Sequence, residues 1–455
     1  MHVVALVLLI AGIAYGQGVT TATIYGKVTT PSGEPLAGAT VVARHEPSGT
    51  VYGATTRRNG EYTIPGMRVG GPYTLRVSIV GYQKQERGGI YLQLSQSLRQ
   101  DFVLAAQEVQ GKEVLVVAEQ SRLLNASRTG AETAIDQRTT ATLPTITRRI
   151  EDITRLTPQM GANMTFAGQD NRLNNITVDG AYFNNSFGLA GQPGDRTGVA
   201  PISLDAIEQI QVNVAPYDVR QGNFVGAGVN TVTRSGTNQW TGSLYYYFRN
   251  QDFVGTKAQD ATIDPGTFRY SMLGARVSGP IMRDRWFFFT NFETEALTQP
   301  GTTFRANRGE PVGGNITRVR ASSLDSLSAF LRDRFGYETG PYEGYDFKTP
   351  ALRFLLRSDY NLDERNKLTL RYVHLDSRTD VLLSNSSSLG FGNRRSNLDA
   401  LNFKNSNYAI LENIRSLVGE WNAILGESMA NQLIVGYSHH DESREQPRTL
   451  FPFKG

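Results

Sequence analysis

From Trp240 onward, apolar and polar residues alternate along one run after another, and this alternation restricts the fold more than any other feature. Trp240, Gly242, Leu244, Tyr246 and Phe248 share one face of the first run, and Thr241, Ser243, Tyr245, Tyr247 and Arg249 share the other. Leu273, Ala275 and Val277 alternate with Gly274, Arg276 and Ser278. Trp286, Phe288, Thr290 and Phe292 alternate with Phe287, Phe289, Asn291 and Glu293. Leu352, Phe354, Leu356 and Tyr360 alternate with Arg353, Arg357 and Asp359, and Leu368, Leu370 and Tyr372 oppose Thr369 and Arg371. A sixth run lies within Tyr408 to Asn422, and Leu433, Val435 and Tyr437 mark a seventh. A side-chain period of two is that of a β-strand. The connections alternate too. Those at 282–285, 361–366 and 423–430 are short, and those at 250–267, 296–349 and 377–407 are long. A soluble barrel has no reason to lengthen every second loop. Outer-membrane barrels do, with strands of ~9–11 residues, an apolar face to lipid and a polar face to the lumen. An Arg facing lipid at the midplane costs ~2–4 kcal/mol. Arg249, Arg276, Glu293, Arg353, Arg357, Asp359 and Arg371 are therefore expected to face the lumen. In the second long loop, Leu324, Leu327, Phe330, Leu331 and Phe335 predict a helix over Ser323 to Phe335.

Composition agrees and excludes other classes. With 46 Gly, 20 Tyr and 21 Phe, the chain leans towards strands, turns and aromatic girdles. It has no cysteine, hence no disulfide, thiolate metal site or catalytic thiol. That suits a compartment where stray thiols are oxidised. The net charge of +4 is dispersed, so no nucleic-acid footprint is expected. Gly222, Gly226 and Gly228 lack the spacing of a nucleotide loop, and neither H-E-x-x-H nor G-x-S-x-G occurs. His439, His440, Asp441 and Glu442 lie where the seventh run leaves the membrane, and they read as an outer rim. His45 and Glu46 read as a solvated strand end. No enzyme activity, cofactor or metal is expected.

The residues before Trp240 fall into distinct segments. Val3 to Ala14 is an apolar run too short to span a bilayer, and Ala14-Tyr15-Gly16 supplies small residues for cleavage. Residues 1–16 are thus expected to be a signal peptide, with Gln17 starting the mature chain. From 17 to 106, short strands recur between turn signals, as in a small β-sandwich. Residues 107–120 read as a linker in which Glu113, Val114, Leu115, Val116, Val117 and Ala118 form an extended, β-branched stretch without a partner strand. Between 121 and 236, Ile146, Ile150, Ile153 and Leu156 predict a helix over Thr145 to Leu156. Asn175 to Gly180 reads as a strand closed by an Asp-Gly turn, and Ser203 as the cap of a short helix, Leu204 to Ile207. Ile210, Val212 and Val214 mark a strand, a second runs from Val229 to Thr233, and Ser235-Gly236-Thr237-Asn238 turns into the first long run.

This last stretch, with the wording of Pro201 to Gly222, closely resembles the end of the plug domain of TonB-dependent outer-membrane receptors, in their Oar-like branch. Gly274 to Glu293 resembles the start of an Oar-like barrel. "GKVTTPSGEPLAGATVVAR" and "TTRRNGEYTIPGMRVGGPYTLRVSIVGY" resemble the carboxypeptidase-regulatory-like domain, a transthyretin-like, carbohydrate-binding-like fold often placed ahead of such receptors. The resemblance implies a mainly β chain: an N-terminal β-sandwich, an α+β plug at 121–236, and the first strands of an outer-membrane antiparallel β-barrel at 237–455. Seven strands cannot close around a plug, because barrels of this plugged type have about 22. The chain is therefore expected to be the N-terminal portion of a larger receptor. The resemblance also implies a TonB box at Glu113 to Ala118, pairing by strand addition with the energy-coupling protein TonB. An unknown extracellular ligand (a peptide, glycan or metal chelate) and outer-membrane lipid complete the expected partners. The expected function is import of that ligand across the outer membrane. An adhesin or secretion-linked outer-membrane protein is the second reading.

Overall fold

The computed structural model describes residues 18–107, 114–117 and 132–446, apart from 186, 189, 217, 219–220, 260, 263, 384–394 and 427–428. The expected signal segment Met1 to Gly16, with Gln17, lies outside the described residues, as do Glu113 and Ala118 at the ends of the expected box.

The N-terminal strands are β1 (Thr21–Thr29), β2 (Thr40–His45), β3 (Val51–Thr55), β4 (Glu61–Arg68), β5 (Gly70–Ser78), β6 (Gln85–Leu92), β7 (Ser97–Arg99) and β8 (Phe102–Val103). They form two sheets. One has the order β4-β1-β7, with β8 also on β1; the other runs β3-β2-β5-β6 and ends on β9 (Val114–Val117). Alternate residues of β1 are buried, as a period of two requires. Ile24, Val28, Val41, Ile64, Tyr73, Leu75 and Phe102 fill the space between the sheets.

Two expectations fail here. His45 is not at a solvated strand end. It is 3 % exposed, with Nδ1 2.7 Å from the Ser48 hydroxyl. Burial, with the Arg68 charge, pushes its pKa down from 6.5 to about 2. Burial disfavours the charged imidazolium, and the Arg68 charge adds to the effect. The stretch around Val116 does not lack a strand partner either. Val114–Val117 pairs in parallel with β6, with Gln85 opposite Val114 and Arg87 opposite Val116.

The middle segment contains β10 (Glu132–Asp136), β11 (Asn175–Val178), β12 (Ala181–Tyr182), β13 (Ile207–Asn213) and β14 (Gly228–Thr233), in the order β10-β13-β14-β11-β12. The helix expected over Thr145 to Leu156 is confined to Ile150–Thr154. Apolar spacing reports a face, but here the local backbone decides the length. Asp152 accepts hydrogen bonds from Thr147 N and Oγ1 at 2.8 and 2.9 Å, and Arg148 is left-handed at φ 53°. Ser203 caps a single turn, Leu204–Ala206, accepting a bond from the Asp205 N–H.

The rest is one antiparallel sheet with two small additions. Its strands are β15 (Thr241–Asn250), β18 (Arg269–Met282), β19 (Trp286–Pro300), β22 (Asp346–Asn361), β23 (Asn366–Val381), β24 (Tyr408–Leu425) and β25 (Met429–Glu445), each paired with the next in chain order. Between them lie the ribbons β16 (Lys257–Ala258) with β17 (Ala261–Thr262), and β20 (Arg305–Asn307) with β21 (Ile316–Arg320). The loop helix spans Ala321–Phe335 and stops at Gly336, left-handed at φ 63°. Among the described residues the seven-stranded sheet is open, with β15 and β25 each paired on one side. Its outer face presents Leu244, Tyr246, Leu370, Val435 and Tyr437 to the surroundings, with Leu244 77 % exposed. Its inner face packs Phe289, Leu355, Val373, Leu375 and Ile414 into one core with Ile176, Ile210, Val212 and Val229 of the middle sheet. An apolar stripe left outside and an apolar core shared inside are what a barrel wall around an inserted domain requires.

Candidate functional site

The chemistry of this chain is concentrated where the middle sheet meets the inner face of the seven-stranded sheet. The Asp-Gly turn after β11 positions Asp179, whose side chain is 4 % exposed. Its carboxylate accepts from Thr233 N at 2.8 Å and Thr233 Oγ1 at 2.7 Å. Arg357 Nη1 of β22 lies 3.3 Å from Oδ1, and Arg371 Nε of β23 lies 3.4 Å from Oδ2. Arg357 also donates to the Thr233 carbonyl at 2.7 Å and pairs with Asp359 at 2.9 Å. Arg371 is 1 % exposed, and no nitrogen of its guanidinium makes a hydrogen bond among the described residues. Among the described residues, Asp179 is thus the one carboxylate in ion-pair distance of it.

A second group lies further along the wall. Arg353, with 3 % of its side chain exposed, sits 2.5 Å from both Glu293 and Glu295 and donates to the Ala200 carbonyl at 2.7 Å. Ser203 Oγ donates to Glu293 at 2.9 Å, and Tyr245 donates to the same carboxylate. Arg276 meets Asp205 at 2.7 Å. Arg249 donates to the Ile146 carbonyl at 3.4 Å, and Arg148 donates to the Tyr247 hydroxyl at 2.8 Å. The structure therefore brings Arg249, Arg276, Glu293, Arg353, Arg357 and Arg371 against the middle segment, with Asp359 beside Arg357. Buried charges survive only when paired and hydrogen-bonded; here Asp179 and Asp205 of the middle segment pair with Arg357, Arg371 and Arg276 of the seven-stranded sheet, and Arg353 pairs within that sheet.

Sequence reasoning missed a third group. Glu412 of β24 accepts from Gly194 N at 2.6 Å and Arg196 N at 3.2 Å. Glu442 of β25 meets Arg196 at 2.9 Å and accepts from Asn185 at 2.8 Å. Thr197 and Ser377 hydroxyls are 2.9 Å apart. Glu442 thus belongs to this inward cluster rather than to a solvated rim. The available signal was phase: Glu412 shares the side of β24 that carries Ile410, Ile414 and Val418.

The chain passes from one sheet to the other at Gly236. A Cβ at this residue would collide with the carbonyl oxygens of Phe288 and Gly279. Gly236→Ala is expected to lower stability by ~1–3 kcal/mol, the usual range for overpacking, as a fall in thermal midpoint relative to Gly222→Ala, where the space is open. An unchanged midpoint would remove the steric argument.

Comparison with known proteins places these observations. Residues 23–105 match the carboxypeptidase regulatory-like domain family, and residues 232–308 match the outer membrane beta barrel domain family. The chain is 25 % identical over 381 residues to the TonB-dependent transporter Oar of Myxococcus xanthus, a match covering 78 % of this chain and 34 % of that protein. The chain thus spans about a third of the length of that relative. Among solved structures, the outer membrane transporter YddB of Escherichia coli is similar at 12 % identity and a TM-score of 0.47, over 69 % of this chain and 39 % of that one. The siderophore receptor PirA of Acinetobacter baumannii is similar at 16 % identity and a TM-score of 0.36, over 68 % and 47 %. The chain is an outer-membrane protein that joins a carboxypeptidase regulatory-like domain to an outer-membrane β-barrel domain, and it is similar to a TonB-dependent transporter.

Proposed function

We propose that this chain is part of a TonB-dependent outer-membrane receptor that binds an external ligand and imports it past a plug, the middle segment, held inside a lipid-embedded barrel. The observation that carries this reading is the charge-paired contact of the middle sheet with the inner wall, centred on Asp179, Arg357 and Arg371. The ion pairs and hydrogen bonds of this contact can re-pair with water when the segment shifts, and the apolar core that it shares with the wall adds a cost that an energised pull would have to meet. Similarity to a transporter that carries TonB dependence in its name supports the same reading. The ligand would be a peptide, glycan or metal chelate, and a binding screen of those classes on the full-length protein would identify it.

In this reading the stretch from Glu113 to Ala118 is the TonB box. Its described part, Val114–Val117, ends the five-stranded sheet and, among the described residues, pairs on one side only. An extended segment of a partner can add to the other side through main-chain bonds. Val116→Pro removes a backbone donor there. Uptake should fall to the level of a strain without TonB, while surface ligand binding and receptor abundance stay unchanged. Normal uptake would put the box elsewhere. The second reading is an adhesin or secretion-linked protein; in that case ligand attachment should persist, and import should be absent, whether or not the inner membrane is energised.

A further inference from the structure

Two arginines at the seam between the middle segment and the wall differ from the others there. Arg249 of β15 donates to the carbonyl of Ile146, two residues before Arg148, so the two side chains share one place. Arg148 donates to the Tyr247 hydroxyl at 2.8 Å. Among the described residues each guanidinium gives that one hydrogen bond and has no carboxylate within ion-pair distance. Aromatic rings take the place of acids. Arg148 lies 4.6 Å over Tyr247 and 5.2 Å over Tyr245, and Arg249 lies 5.3 Å over Tyr270 and 5.5 Å over Phe268. The acid that Tyr245 reaches, Glu293, is already paired with Arg353. A guanidinium held by its face keeps the in-plane N–H edge as a fork of donors.

The backbone at Arg148 points the same way. Its φ of 53° is left-handed, which a residue with a side chain adopts only when its surroundings impose it. Asp152 imposes it by accepting from Thr147 N and Oγ1, at 2.8 and 2.9 Å. Strain of this kind gathers at ligand clamps. The seam end also matters. Arg249 is the last residue but one of β15, and Tyr270, opposite it, is the second of β18. The long connection that follows Asn250 lies at this end. The short turn with Asp284 lies at the other, where Asn361 joins it to Thr50 of the sandwich. Long connections of an outer-membrane barrel face outside. Ile146 is 71 % exposed here and Tyr247 42 %, so apolar surface adjoins the two charges.

We propose that Arg148 and Arg249 form a subsite for the anionic end of the external ligand, a carboxylate or phosphate whose adjoining apolar group lies on Ile146 and Tyr247. This rests on the reading that the receptor binds an external ligand and narrows its chemistry. A guanidinium fork holds two oxygens of such a group at once, and here one fork comes from the middle segment and one from the wall. A neutral glycan would leave both charges uncompensated.

The test is isothermal titration calorimetry on the full-length receptor with three probes that share a phenyl group: N-acetylphenylalanine, its neutral amide, and phenyl phosphate. At least one anion is expected to bind about tenfold or more tightly than the amide, the effect of a charged hydrogen bond, and the tighter anion names the source of the oxygens. Arg148→Gln and Arg249→Gln should each weaken that anion about tenfold or more. Arg155→Gln, in an exposed arginine paired with Asp152, should not. Equal affinity for amide and anions, or no binding by any probe, overturns the subsite. So does unchanged anion affinity in either variant. A lowered thermal midpoint with unchanged affinity would show that wall strands beyond β15 supply the missing carboxylate instead. Arg249→Gln lies in the wall, so the test holds even where Arg148→Gln fails to seat the plug. Probe binding needs neither TonB nor an energised membrane. Its failure leaves the import reading standing, and normal uptake by Val116→Pro leaves the subsite standing.

Discussion

Asp179→Asn is expected to weaken the seating of the plug by about 3–5 kcal/mol, the cost of stripping one partner from a buried ion pair. Arg371 would lose its one carboxylate while remaining 1 % exposed. Arg357 would keep Asp359, so most of the loss falls on Arg371. The measurement is urea-induced release of the plug, followed by thiol labelling of a cysteine placed at Thr197. The variant should label at lower urea than the parent. Adding Arg371→Met to Asp179→Asn should recover part of the loss, because an apolar side chain needs no counter-charge. If Asp179→Asn alone is silent, the charge cluster does not hold the plug.

The second large effect concerns movement. Thr197 lies in the loop 191–198, and its hydroxyl is 2.9 Å from Ser377 of β23. Replacing both with cysteine should allow a disulfide that locks the apex of the plug to the wall. These 455 residues contain no cysteine to compete. Oxidation is expected to stop import completely while leaving ligand binding intact, and a reductant should restore import. Full crosslinking with continued import would mean the plug need not shift, and the adhesin or secretion reading would gain.

The sequence by itself determined the architecture wherever a period could be read. Alternation placed all seven wall strands, because a pleated strand must send successive side chains to opposite faces and only one face can be apolar outward. The same phase argument named Arg353, Arg357 and Arg371 as inward-facing, since lipid would not take them. The loop helix was legible from its apolar spacing, and the Asp-Gly turn from its chemistry. Periodicity misled at Thr145 to Leu156, where Thr147, Arg148 and Asp152 settle the backbone locally.

Only the tertiary structure decided the partnerships. Asp179 lies 178 and 192 residues before its two arginines, at 357 and 371, and no local pattern carries that pairing. Glu412 and Glu442 acquired partners because a loop of the middle segment, some two hundred residues earlier, meets them (218 and 246 residues away for Gly194 and Arg196). His45 is neutral because Tyr73 and Ser48 enclose it, a neighbourhood that its own strand does not announce. Val114–Val117 could be read as an extended strand, but not that β6 would offer it an edge. Strand character is a property of a side-chain pattern. Pairing, burial and charge compensation belong to surfaces that exist only once separate segments have met.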